Sequence, residues 1–98
     1  LLIIDFKLSI INYINMRFKA NINIMPRPTL LDPQGKATLS GLKNLGFSSI
    51  DSLRVGRRIE LEIEAESKAD AEAKVNEGCR KLLANMITEV FHFEVVEA

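Results

Sequence analysis

Few side chains in this 98-residue chain could do chemistry, and most of them sit in or beside turns. Arg27 stands between Pro26 and Pro28, Lys36 follows Gly35, and Arg57 and Arg58 follow Gly56. A guanidinium fork on a rigid turn is suited to gripping a carboxylate or phosphate on a partner. The same cations can equally be solubilising turn charges, and both readings stand at this point. Cys79 falls on the apolar face of a helical pattern, so it reads as a buried structural thiol; a nucleophile would need access and a basic partner. His92 lies between Phe91 and Phe93 on the outward side of a strand pattern, which suits a surface or interface histidine better than a catalytic base. Glu60, Glu62, Glu64 and Glu66 share one side of a strand without the oxygen-ligand loop of a cation site, so they read as a solvated face. One cysteine cannot make an internal disulfide, and one cysteine with one histidine cannot make a metal site. Gly35, Gly41 and Gly46 are too scattered for a glycine-rich phosphate loop.

The element that must position the turn cations is the run Met25–Ala37, which holds all three prolines. Pro26 and Pro28 fix their own φ and push Met25 and Arg27 into extended backbone, which ends an arriving strand. Asp32 then reads as a helix N-cap with Pro33 at the first helical position, where no N–H is needed. A loop this stiff is better suited to docking than to gating. It is also, at the least, a well-made strand-to-helix connection.

Arg17–Met25 alternates, with Phe18, Ala20, Ile22 and Ile24 on one side and Arg17, Lys19, Asn21 and Asn23 on the other. The helix after Asp32 places Ala37, Leu39, Leu42 and Leu45 inward and stops at Gly46. A second strand is expected around Leu53–Val55, turning at Gly56-Arg57 into a third over Arg58–Ala65, the two forming a hairpin. Ser67 with Asp70 resembles a capping box for a helix from Lys68 to about Ala84, with Asn85 as a left-handed cap. A last strand over Thr88–Val96 points Phe91, Phe93 and Val95 inward. Strand-helix-strand-strand-helix-strand predicts an α+β fold: a four-stranded antiparallel sheet with two helices on one face, ferredoxin-like or a close variant. Such a sheet would set Arg17 and Lys19 beside Glu60, Glu62 and Glu64. It would also leave one face and two edges free, which predicts a homodimer or tetramer.

Hydrophobic content of 47% and charged content of 27% are those of one globular domain. Thirteen basic and thirteen acidic side chains cancel, so no global field favours nucleic acid or an anionic membrane. RNA recognition on such a sheet stacks bases on aromatic residues of the central strands. Here those outward positions carry Arg17, Lys19, Asn21, Asn23 and glutamates, which excludes that use. A lone cysteine fits a reducing, cytoplasmic setting. Residues 1–15 are apolar, are too short to cross a bilayer, lack a cationic leader and show no clean period. Met16 therefore reads as the natural start. Residues 1–15 are then an upstream extension or a poorly specified extra strand, and 16–98 the folded unit.

Met25-Pro26-Arg27-Pro28, Leu31-Asp32-Pro33-Gln34-Gly35, Leu45-Gly46-Phe47, Arg54-Val55-Gly56, Ile59-Glu60-Leu61 and Leu82-Leu83-Ala84-Asn85 occur in that order. Together they resemble the PurS family, the small subunit of phosphoribosylformylglycinamidine synthase, over Met16–Ala98. The resemblance implies a non-catalytic subunit of an ATP- and glutamine-dependent C–N ligase of purine biosynthesis. Such a subunit would bridge a glutaminase subunit and a large ATP-binding subunit and support ammonia transfer. It would bind no cofactor itself; ATP, Mg and glutamine belong to the partners. Arg27, Asp32, Gln34, Lys36, Arg57 and Arg58 are the partner-binding candidates. One departure is Met86, where the family commonly has proline, and a looser last turn is expected there. The alternative is a stand-alone ferredoxin-like regulatory or small-ligand-binding dimer module, supported by fold analogy alone.

Overall fold

Phe18, Ala20, Ile22 and Ile24 are all but sealed from solvent, as the alternation of their strand requires. That strand, β1 (Met16–Pro26), lies at the centre of the sheet. The computed structural model describes residues 16–98; beyond β1 these form α1 (Pro33–Asn44), β2 (Arg57–Ala65), α2 (Lys68–Gly78), a π-helical turn (Cys79–Leu83) and β3 (Glu89–Glu97). The expectations for residues 1–15 lie outside the described residues. Both neighbours of β1 are antiparallel, giving the order β2-β1-β3. The register sets Phe18 against Ile63, Ala20 between Leu61 and Val95, and Ile22 between Ile59 and Phe93.

Among the described residues the sheet therefore has three strands, not the expected four. Residues 51–56 form no strand, and the reason is local. The Val55 N–H, which a ladder would need, donates to Asp32 Oδ2 at 3.0 Å. Gly56 lies so close to the Ile24 carbonyl and the Met25 side chain that a Cβ there would collide with both. The segment is a strut between α1 and β2, so the expected hairpin does not form. As anticipated, β1 and β2 are neighbours, and Arg17 meets Glu62 at 3.0 Å and Glu64 at 3.1 Å on the outer face. These pairs are more than half exposed and contribute at most about 1 kcal/mol each.

Nor do two helices share the core. α2 supplies Ala71 and Val75, and the π turn supplies Cys79, all buried against β1. Burial pushes the Cys79 thiol above its ordinary pKa, in keeping with a structural role. The expected helix does run from Lys68 to Leu83, but its last turn widens: the Ala84 N–H reaches back five residues to the Cys79 carbonyl at 2.9 Å. The five-residue step suits the burial pattern, since Ala84 is again buried. Asn85 is not left-handed; its side chain instead accepts the Ile87 N–H at 3.0 Å, an Asx turn. α1 places no residue in the core and buries only Gly35. Its C-terminus is a Schellman motif: Gly46 has φ 101°, its N–H donates to the Lys43 carbonyl at 3.0 Å, and the Phe47 N–H donates to that of Leu42 at 3.0 Å.

Candidate functional site

The sequence candidates gather at one end of the sheet, where β1 finishes and β2 and β3 begin. Asp32 caps α1 as expected, with Oδ1 accepting the Gly35 N–H at 3.0 Å. Its other oxygen takes the Val55 N–H, so one carboxylate pins both the helix and the strut. These two backbone donors, Val55 first, hold its pKa below the ordinary value, aided by the charge of Arg54. Gly35 leaves room for this cap: a Cβ there would run into the Asp32 carboxylate, forcing it to shift, and crowd the Leu53 carbonyl.

Arg27 points inward along the loop. Its Nη2 donates to the Met86 carbonyl at 2.6 Å and its Nε to the Ile87 carbonyl at 3.1 Å. Its backbone N–H donates to the Thr88 carbonyl at 2.9 Å. Met86 packs against the core with its carbonyl held in this way, so the turn expected to be looser is firmly tied. Arg57 reaches across the end of β1 to form a bidentate pair with Glu89, and its Nη2 also donates to the Leu83 carbonyl at 2.6 Å. Glu89 Oε1 accepts the Asn85 N–H at 2.8 Å as well. Arg57, then Asn85, keeps the Glu89 carboxyl below its usual range.

The other candidates are more open. Gln34 is exposed, and its carbonyl accepts the Thr38 hydroxyl at 2.8 Å. Lys36 is exposed beyond its backbone bond to the Asp32 carbonyl at 3.0 Å. Arg58 lies along the outer face beside Glu60 at 3.3 Å. The site thus brings Arg27, Asp32, Gln34 and Arg57 to one place, with Lys36 one turn up α1 and Arg58 turned to the outer face.

Glu89 is not among the sequence candidates, and Asn85 reads there only as a helix cap. A signal was there: Glu89 shares the inward phase of Phe91, Phe93 and Val95, and Arg57 that of Ile59, Leu61 and Ile63. Two opposite charges one step before the apolar rows begin are candidates for each other.

Two open grooves flank Pro26 and Glu89. One, of about 560 Å³, is lined by Thr29, Leu30, Leu31 and Thr88; the other, of about 460 Å³, by Asp32, Gln34, Gly56 and Arg57. Both carboxylates at this end are spent on internal donors. The arrangement supplies a stiff, shaped surface.

Comparison with known proteins agrees with this picture. The PurS family model, described as phosphoribosylformylglycinamidine (FGAM) synthase, matches residues 19–97. The PurS subunit of that synthase from Synechocystis is 38% identical over 78 residues, covering 80% of this chain and 78% of the relative. The Bacillus subtilis subunit is 35% identical over 80 residues, covering 82% and 94%. Among solved structures, B. subtilis PurS superimposes with a TM-score of 0.74 at 35% identity, covering 82% of this chain and 99% of that one. A chain of the Thermotoga maritima PurLQS structure does so with a TM-score of 0.76 at 31% identity, covering 82% and 98%. With nearly every residue from β1 to β3 matched, this chain belongs to the PurS family of phosphoribosylformylglycinamidine synthase subunits.

Proposed function

We propose that this chain bridges the glutaminase and the ATP-dependent large subunit of the synthase and supports passage of ammonia between them. Membership of the family makes it a subunit of an enzyme of purine biosynthesis; bridging is the finer role. The observation that supports it is the rigid proline-loop end. Arg27, Arg57, Asp32 and Glu89 are consumed in tying backbone segments together, which suits a scaffold. On this reading ATP, magnesium and glutamine are used by the larger subunits, and none is held by this chain. Among the described residues nothing pairs with the outer edges of β2 and β3 or covers the outer face, which supports a homodimer or tetramer within the assembly. Among the described residues no helix is long and apolar enough to cross a membrane, and the proposed setting is the cytoplasm.

Reconstitution tests this. Glutamine-dependent synthesis by the two larger subunits is expected to require this chain, while synthesis from supplied ammonia depends on it less. Equal dependence with both nitrogen sources would remove the ammonia-transfer role.

A further inference from the structure

The proline-loop end differs from the opposite end of the sheet in charge and in exposed apolar surface. By register, residues 24–36, 53–58 and 80–91 lie at this end; they carry seven arginines and lysines against two carboxylates. Both carboxylates are occupied, Asp32 by backbone N–H groups and Glu89 by Arg57. The Arg27 charge rests on neutral carbonyls, and Lys36, Arg54 and Arg80 have no ion-pair partner among the described residues. The opposite end, residues 16–19, 62–72 and 94–98, carries seven carboxylates against three cations. A chain of zero formal charge is thus strongly polarised.

On the basic end stand Leu31, Leu82 and Ile87, exposed by 77%, 83% and 84%. Two sit on segments held by an arginine, Arg27 fixing the Ile87 carbonyl and Arg57 the carbonyl next to Leu82, and Leu31 lies within the proline loop, next to the Asp32 cap. Large aliphatic side chains held in water on a stiffened backbone mark an interaction surface.

We propose that this end is the docking face for an acidic surface of a larger synthase subunit. Leu31, Leu82 and Ile87 make the apolar contacts there, and Arg27 and Arg57 act as positioning residues behind them. The inference rests on the bridging role proposed above. A second copy is the poorer occupant. Among the described residues its acidic end offers only Met16 and Val96 as exposed large apolar groups. Several of its carboxylates are already paired, Glu62 and Glu64 with Arg17 and Asp70 with Lys74. Such a head-to-tail contact would also propagate rather than close unless it made a ring.

The test is capture of the purified larger subunits by full-length chain. Ile87→Ser and the double change Lys36→Glu with Arg54→Glu should each weaken capture about tenfold or more while leaving the melting temperature unchanged. Capture by the unaltered chain should weaken as salt rises from about 0.05 to 0.3 M. Glu97→Gln, at the other end, should bind as the unaltered chain does. Normal capture by both loop-end variants, with synthesis still dependent on the chain, would overturn the surface and leave the bridging role standing. If the larger subunits never needed the chain, both would fall. Loss of self-association instead of capture in Ile87→Ser would overturn the choice of partner in favour of a second copy.

Discussion

The two helices make an instructive pair. α1 and α2 are of similar length, and each begins with a side chain capping the residue three positions on, Asp32 to Gly35 and Ser67 to Asp70. At α2 the Asp70 carboxylate reaches past Ser67 to the Glu66 N–H at 3.3 Å. There the likeness ends. α2 buries Ala71 and Val75 at a four-residue step and lies on the sheet, whereas α1 buries only a glycine. α2 is held along its length by apolar packing; α1 is held at one end by hydrogen bonds. A helix of the first kind contributes to the core. One of the second kind needs only a fixed root, and its free face is available to others.

The largest effect should separate packing from rooting. Phe18→Ala, beneath α2, should cost about 3–5 kcal/mol, whereas Leu42→Ala in α1 should cost the isolated chain less than about 1 kcal/mol. Denaturant melts read both, and equal losses would mean that α1 is packed after all. The next concerns the clasp over β1. Read from sequence alone, Arg57 is either a solubilising turn charge or a partner contact, and on both readings its loss leaves melting nearly unchanged. Its grip on Glu89 and Leu83 instead predicts that Arg57→Ala lowers the melting temperature by about 4–8 °C, and lysine should not restore it because the fork is lost.

That clasp also carries a pH signature. Glu89 and Asp32 both have folded pKa values depressed below their unfolded ones, so their contribution is complete above the unfolded values, about 4.3 and 3.9. It disappears as pH falls through the lower folded values. The pair is partly exposed, so the acid-side slope is modest, and Glu89→Gln should flatten it in pH-dependent melts. The smallest effect belongs to Gly35→Ala. It should displace the Asp32 carboxylate and speed amide exchange along α1 while β1 exchanges as before. A uniform change across both would make the root part of the global core.

The strands and caps were legible because alternation and capping are local. Phe18–Ile24, Ile59–Ala65, Asp32 with Pro33, Ser67 and Gly46 all behave as their neighbours dictate. The Leu53–Val55 strand failed because its deciding contact, Asp32 to Val55, spans 23 residues and leaves no mark in an apolar-polar-apolar triplet. The placement of α1 failed for a related reason. Leu39 and Leu42 show an apolar stripe, but a stripe does not say which surface will cover it. At the site, the turn positions of Arg27 and Arg57 could be read, and their partners could not. Carbonyls carry no sequence signal, and the inward phase of Glu89 becomes a pairing with Arg57 only once β1 is known to lie between β2 and β3.

The order β2-β1-β3 also bears on how the domain comes to be. Of the described strands the first made is the central one, and its second neighbour arrives last: Phe18 faces Glu97, and the Ala98 N–H donates to the Arg17 carbonyl at 3.0 Å. Half of the central ladder therefore waits for the end of β3 to be synthesised. Until then β1 has an open edge next to the apolar row from Phe18 to Ile24, a template for pairing with the wrong chain. Contacts of such long sequence separation also slow folding relative to a helical bundle of this size. The interval between making β1 and closing it is when this chain is most exposed to aggregation.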